Sequence, residues 1–147
     1  MKTYTPSPNQ LKEALEHIYY EITQLIGTLI TSNSIVLNNA LVESRLIHVR
    51  ALLDFFQKPG RTVMKGNELD DVLCSDYGFI TQPLAITAEY QERLNKDLAH
   101  LTYSRSQRLP KDKPWPHENV VVPLLERFRQ FGEYLISSIC RAIIPRR

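Results

Sequence analysis

Residues 93–105 read RLNKDLAHLTYSR, and they hold the side chains best suited to chemistry. On a helix, each residue advances by roughly 100°, so a step of seven returns to within about 20° of its start. Arg93, Lys96, His100 and Tyr103 then share one narrow stripe, and Leu94, Leu98 and Leu101 form an apolar stripe beside it. Metal-free cleavage of a phosphodiester requires a base for the ribose 2′-OH, an acid for the leaving oxygen and fixed positive charge. An imidazole titrates near working pH and serves the first two needs. A guanidinium stays charged and grips phosphate oxygens in bidentate fashion. Arg93 and His100 are therefore the candidate catalytic pair. Lys96 and Tyr103 are candidate substrate-binding residues, through charge and through a phenol that can donate or stack. The competing structural assignment pairs Arg93 with Asp97, four residues on, as an ordinary helix ion pair. In that assignment His100 bonds a backbone carbonyl.

Something must hold that stripe in place. Only 5 glycines and long periodic apolar stretches argue for helices. Leu11, Leu15, Ile18, Ile22, Leu25 and Leu29 recur at helical steps after Pro8, with Asn9 as the expected N-cap. The polar cluster at 31–34 interrupts them, and Ser34 is placed to cap a second helix carrying Leu41, His48, Leu52 and Phe55. Leu46, Ile47, Leu53 and Phe56 broaden its apolar side, so it should be covered by several neighbours or by a second subunit. A third helix opens at Thr87, and a fourth carries Leu124, Phe128, Phe131, Leu135, Ile139 and Ile143, with Pro123 in its first turn or at a kink. The expectation is one all-α domain over 1–147, an up-and-down bundle with main helices near 9–31, 34–57, 87–104 and 118–143. Residues 58–86 are expected to be irregular, with Asp70 or Asp71 capping a short helical turn. Trp115, between two prolines, either covers a core edge or stands exposed.

The composition excludes several classes. A formal charge of +2, from 18 basic and 16 acidic residues, does not advertise nucleic-acid binding over the whole surface. Arg141, Arg146 and Arg147 read as a solvated end with charge favourable to a helix C-terminus. Cys74 and Cys140 lack the spacing of a zinc site or a disulfide framework, and Cys140 reads as a small core residue. No histidine pair stands at metal-ligand spacing and there is no glycine-rich phosphate loop, so neither metal nor cofactor is expected. His48 lies on the apolar side of helix two and reads as a core histidine satisfied by a neighbour such as Glu43 or by backbone. A contact orienting His100, or a polar contact across a dimer, is its alternative. His17 and His117 carry no distinct signal. MKTYTPSPNQ has no apolar leader, and no run approaches the roughly twenty apolar residues of a membrane span. A cytoplasmic protein without membrane contact is expected.

Arg93 and His100 are similar to the signature of the HEPN superfamily (higher eukaryotes and prokaryotes nucleotide-binding): an arginine, four to six residues, then histidine. The helix ALVESRLIHVRALLDFF also resembles the one preceding the motif helix in small bacterial members. Tyr103 stands one position beyond the usual His-x-Tyr tyrosine. Active members place Asn, Asp or His directly after the arginine, where this chain has Leu94, with Asn95 following. The resemblance implies an all-helical fold and often a homodimer whose motif helices meet in one composite site. For active members it implies metal-independent RNA cleavage, in toxins, phage-defence effectors or RNA-processing factors. Other members bind nucleotides or partners, which makes a non-catalytic helical module, docking an antitoxin or another protein, the alternative function.

Overall fold

The computed structural model describes residues 3–80, 82–98, 107, 109 and 114–143. His100, Tyr103, Arg146 and Arg147 lie outside them, as do the side chains of Asp97, Cys140 and Arg141. The architecture is all-α, a four-helix arrangement: α1 (Pro8–Gly27), α2 (Ile35–Gln57), α3 (Ala88–Asp97) and α4 (Glu118–Ile143). A two-residue hairpin, β1 (Val63–Met64) against β2 (Asn67–Glu68), and a short 3-10 turn at Cys74–Tyr77 occupy the irregular segment. None of the described helices is long and apolar enough to cross a membrane.

Helix α1 starts earlier than expected, because Ser7 and not Asn9 is its N-cap. Ser7 Oγ accepts from the Gln10 N–H at 3.3 Å, and Gln10 Oε1 accepts from the Ser7 N–H at 2.8 Å, a reciprocal capping box with Pro8 in the first turn. The helix also stops short of residue 31. Thr28 turns its hydroxyl back to the Leu25 carbonyl at 2.7 Å and its N–H to the Gln24 carbonyl at 3.0 Å. Leu29, expected on the core seam, consequently lies past the helix end and is exposed. Ile18, Ile22 and Leu25 remain as the buried seam, each worth about 1.5–3 kcal/mol of apolar burial.

Ser34 caps α2 as expected, accepting from the Leu37 N–H at 3.4 Å. Asn38 reaches back from the first turn of α2, donating to the Ser32 carbonyl at 2.6 Å and accepting from the Ser32 N–H at 2.7 Å. The α1–α2 connection is therefore a tied turn. The C-terminal half of α2 is buried on several sides, through Leu46, Val49, Leu52, Leu53, Phe55 and Phe56. Its N-terminal half is not: Ile35, Val36 and Leu37 are exposed, and Ile47, just past the midpoint, faces solvent instead of broadening the apolar side.

His48 is a buried histidine as expected, but its partner is Glu21 of α1 and not Glu43. Its Nδ1 lies 2.7 Å from Glu21 Oε2, with the Tyr20 ring edge-on at 6.0 Å. The pair ties α1 to α2.

In the irregular segment, neither Asp70 nor Asp71 caps the short turn. Asp76 does, accepting from the Leu73 N–H at 3.0 Å. Asp71 instead accepts from Lys58 Nζ at 2.8 Å and from the Thr62 N–H at 2.6 Å, and the Lys58 hydrogen bond, followed by the one from Thr62, draws its carboxyl down to about 2. The hairpin turns through Lys65 (φ 49°) and Gly66 (φ 79°), the pair of positive angles that a two-residue loop requires. The 3-10 turn ends at Gly78 in the left-handed region, where an added Cβ would meet Tyr134 Oη at 2.9 Å. Phe79 then enters an aromatic cluster around Phe131 of α4. Pro123 falls in the second turn of α4, past the position where its missing N–H would be costless.

Candidate functional site

Helix α3 positions the sequence motif. Thr87 caps it, accepting from the Tyr90 N–H at 3.2 Å. Tyr90, Arg93 and Leu94 then fall on the buried side, and Gln91, Glu92, Asn95 and Lys96 on the exposed one. Leu94 is 2% exposed and belongs to the core. Asn95 and Gln91 instead line a polar cleft of about 260 Å³ with Arg50 and Asp54 of α2.

Arg93 is not an open phosphate clamp. It is 9% exposed, donates from its guanidinium to the Pro114 carbonyl at 3.0 Å, and lies 4.0 Å above the centroid of Trp115. Tyr90, one turn earlier, meets the same indole edge-on at 5.6 Å. Together they pin residues 114–115 to α3. The cation–π contact is desolvated and sits in the range of about 2 kcal/mol for such pairs. Lys96, by contrast, is exposed and forms an ion pair with Glu92, one turn back. The expected stripe is thus divided between a buried arginine and a solvated lysine. His100 and Tyr103 lie outside the described residues, so the Arg93–His100 pairing is not placed. Asp97 is likewise not placed as a partner for Arg93.

The structure adds residues that sequence spacing did not select. Arg45 of α2 and His117, just ahead of α4, both act electrostatically at this place. Arg45 donates to the Thr28 carbonyl, which anchors its stem at the α1 C-terminus. Burial, and then the positive charges of Arg45 and Arg93, push the His117 imidazole down to about 4, so it is neutral at physiological pH. Burial raises the Tyr90 phenol to about 12 against the opposing pull of Arg93 and Arg45. Burial also lowers Arg45. Three buried polar atoms in this group, Arg45 Nε, Tyr90 Oη and His117 Nδ1, have no hydrogen-bond partner among the described residues. Two local signals pointed here: Tyr90 and Arg93 share a face at i, i+3, and the Pro-Trp-Pro run presents a fixed aromatic. Nothing local pointed to Arg45 or His117.

The arrangement concentrates guanidinium charge around an indole that Arg93 already covers. No set of three His, Cys, Asp or Glu side chains among the described residues could hold a metal ion. Compared with family models, curated proteins and solved structures, the chain matches none of them.

Proposed function

We propose that this chain is a helical interaction module that self-associates through the free end of the α1–α2 pair. One observation carries this reading. Residues 22–42 contain no Asp, Glu, Lys or Arg, yet Ile26, Leu29, Ile30, Ile35, Val36 and Leu37 are 45–76% exposed there. An apolar surface of this extent is characteristic of an interface. It continues into a groove of about 540 Å³ between α1 and α4, lined by Tyr19, Ile22, Thr23, Ile26, Leu125 and Phe128, with Arg129 at its edge engaged by Glu126 and Glu133.

A second copy fits this end better than a charged partner. In a two-fold dimer a patch meets itself, so any charge within it would face its own like. Residues 22–42 carry none. A lipid surface fits poorly, because Thr31, Asn33 and Ser34 stand exposed at the tip and would be the first groups driven into hydrocarbon. Sedimentation of the wild-type chain across the micromolar range should show a dimer. Ile35→Asp combined with Val36→Asp should give a monomer with unchanged helical circular dichroism, since both side chains are exposed in the single chain. A wild-type chain that stays monomeric throughout would remove this reading.

A second reading, an RNA-directed protein of HEPN type in a toxin or phage-defence system, draws support from the gathering of Arg93, Arg45, His117 and Trp115. Here Arg93 supplies positive potential while fixing residues 114–115, Lys96 and Tyr103 assist binding, and His100 is the acid or base. Purified protein should then cleave RNA in EDTA, and His100→Ala should abolish cleavage with helical content intact. Cleavage that persists in His100→Ala would sink the site assignment.

A further inference from the structure

We propose that the cleft between the C-terminal end of α2 and α3 binds a free α-amino acid with a polar side chain, of about the size of glutamine. The cleft lies at the opposite end of α2 from the apolar tip, so it stands or falls separately from self-association.

The site is an open space built by two helices. Arg50, Leu53 and Asp54 of α2 and Gln91, Leu94 and Asn95 of α3 line about 260 Å³. Leu53 and Leu94 are buried and form an apolar floor, while Arg50, Asp54, Gln91 and Asn95 are exposed around it. A ligand can therefore reach every polar group invoked without any movement of the helices. The volume falls just under the roughly 300–1,000 Å³ of clefts that hold drug-sized ligands, which selects a small molecule. Across the cleft, Gln91 Nε2 lies 3.5 Å from Gln57 Oε1, too long for a firm hydrogen bond, so the Gln91 amide remains available.

The charges select the class of ligand. Arg50 and Asp54 stand one turn apart on α2, yet among the described residues neither has a hydrogen bond or ion pair through its side chain. Arginine ahead of aspartate is the weaker order for such a helix pair. Lys58, the remaining charged side chain lining the cleft, is already held by Asp71 at 2.8 Å. One positive and one negative charge are thus open, and their sum is zero. A simple anion or a simple cation would match one and leave the other unmatched, whereas a zwitterion matches both.

Spacing narrows the class further. Side chains one turn apart start only about 5–6 Å from each other, so the ligand's own charges must lie close together, as a carboxylate and an ammonium on one carbon do. Their order is set as well. Asp54 lies in the last turn of α2, where the helix dipole favours a cation, so the ammonium belongs at Asp54 and the carboxylate at Arg50. A guanidinium can hold both carboxylate oxygens at once. A short methylene stem then covers Leu53 and Leu94, and a terminal carboxamide meets the amides of Gln91 and Asn95, which offer both donors and acceptors.

The test is an NMR titration that follows the side-chain amide signals of Gln91 and Asn95. L-glutamine should shift them saturably. L-glutamine α-amide lacks the carboxylate and N-acetyl-L-glutamine lacks the ammonium, and each should bind at least about tenfold more weakly. Arg50→Gln should bind L-glutamine more weakly and lose its preference over the α-amide while keeping its preference over the N-acetyl compound. Asp54→Asn should do the reverse. A merely structural role for either side chain would weaken all three ligands alike. Both residues are exposed, so helical circular dichroism should stay unchanged in the two variants. Ile35→Asp combined with Val36→Asp should bind L-glutamine as the wild type does, which separates this site from the self-association surface. Equal binding of N-acetyl-L-glutamine to the wild type would mean that the cleft takes the end of a peptide chain, and the free amino acid assignment would be wrong. A non-saturable response, or variants that keep both preferences, would overturn the site.

Discussion

Phe131→Ala should lower the stability of the folded chain by about 3–5 kcal/mol, the largest single effect expected from the core. Phe131 is 2% exposed on the inner face of α4. Four rings meet it at near-perpendicular angles: Phe55 at 5.3 Å, Phe56 at 6.0 Å, and Tyr77 and Phe79 each at 5.4 Å. Edge-to-face pairs of this kind add about 0.5–1.5 kcal/mol each beyond area burial. The side chain also joins three parts of the chain that share no local contacts: α2, the 74–79 segment and α4. Its removal leaves a cavity that a buttressed ring cluster cannot close by small shifts, so both the transfer and the cavity costs apply. Urea unfolding should show a lower midpoint with an unchanged slope. Ile136→Ala on the same helix is the control. Ile136 is 65% exposed, and its loss should stay within about 0.5 kcal/mol. A loss below about 1 kcal/mol for Phe131→Ala would mean that the ring cluster does not hold α4 in place.

Asp76→Ala should cost nearly as much, for an electrostatic reason. Asp76 Oδ1 lies 2.6 Å from an Arg61 guanidinium nitrogen, and the two side chains are 9% and 11% exposed. Its other oxygen accepts the Leu73 N–H, which starts the 3-10 turn. Removing the carboxylate strands a mostly buried guanidinium and a backbone donor together. Such losses typically reach about 3–5 kcal/mol. The pair as a whole is worth far less than either half alone, because both charges were desolvated to form it. Asp76→Ala with Arg61→Met should therefore be more stable than Asp76→Ala alone. A double-mutant cycle by thermal unfolding measures the coupling directly. Strict additivity would show that solvent screens the pair. Arg61 also lies 5.2 Å from the Tyr4 ring centroid, so Arg61→Met should loosen the segment ahead of α1.

The all-α class, the bounds of α4 and the caps Ser34 and Thr87 were legible in the residues alone. These rest on periodicity and on hydrogen bonds reaching three or four residues. The true cap of α1 was equally local: Ser7-Pro8-Asn9-Gln10 is a capping-box pattern, and Asn9 was a competing residue that falls inside the helix. The early end of α1 was less legible. Leu29 continues the apolar period, and period alone does not register that Thr28 closes the last turn with its own hydroxyl and N–H.

Charge environments were decided by the tertiary structure. Arg93 was readable as a cation on a helix face, but its burial under Trp115 depends on a proline-bounded segment arriving from the start of α4. His48 was readable as a core histidine, yet its partner came from α1 because α1 and α2 pack side by side. Arg45 and His117 carried no local signal, being distant in sequence and brought to one place only by the packing of α2, α3 and the segment ahead of α4. Helical period and caps are fixed within a turn or two of chain. Burial, and with it the cost of a charge and the partner that offsets that cost, exists only once distant elements have come together.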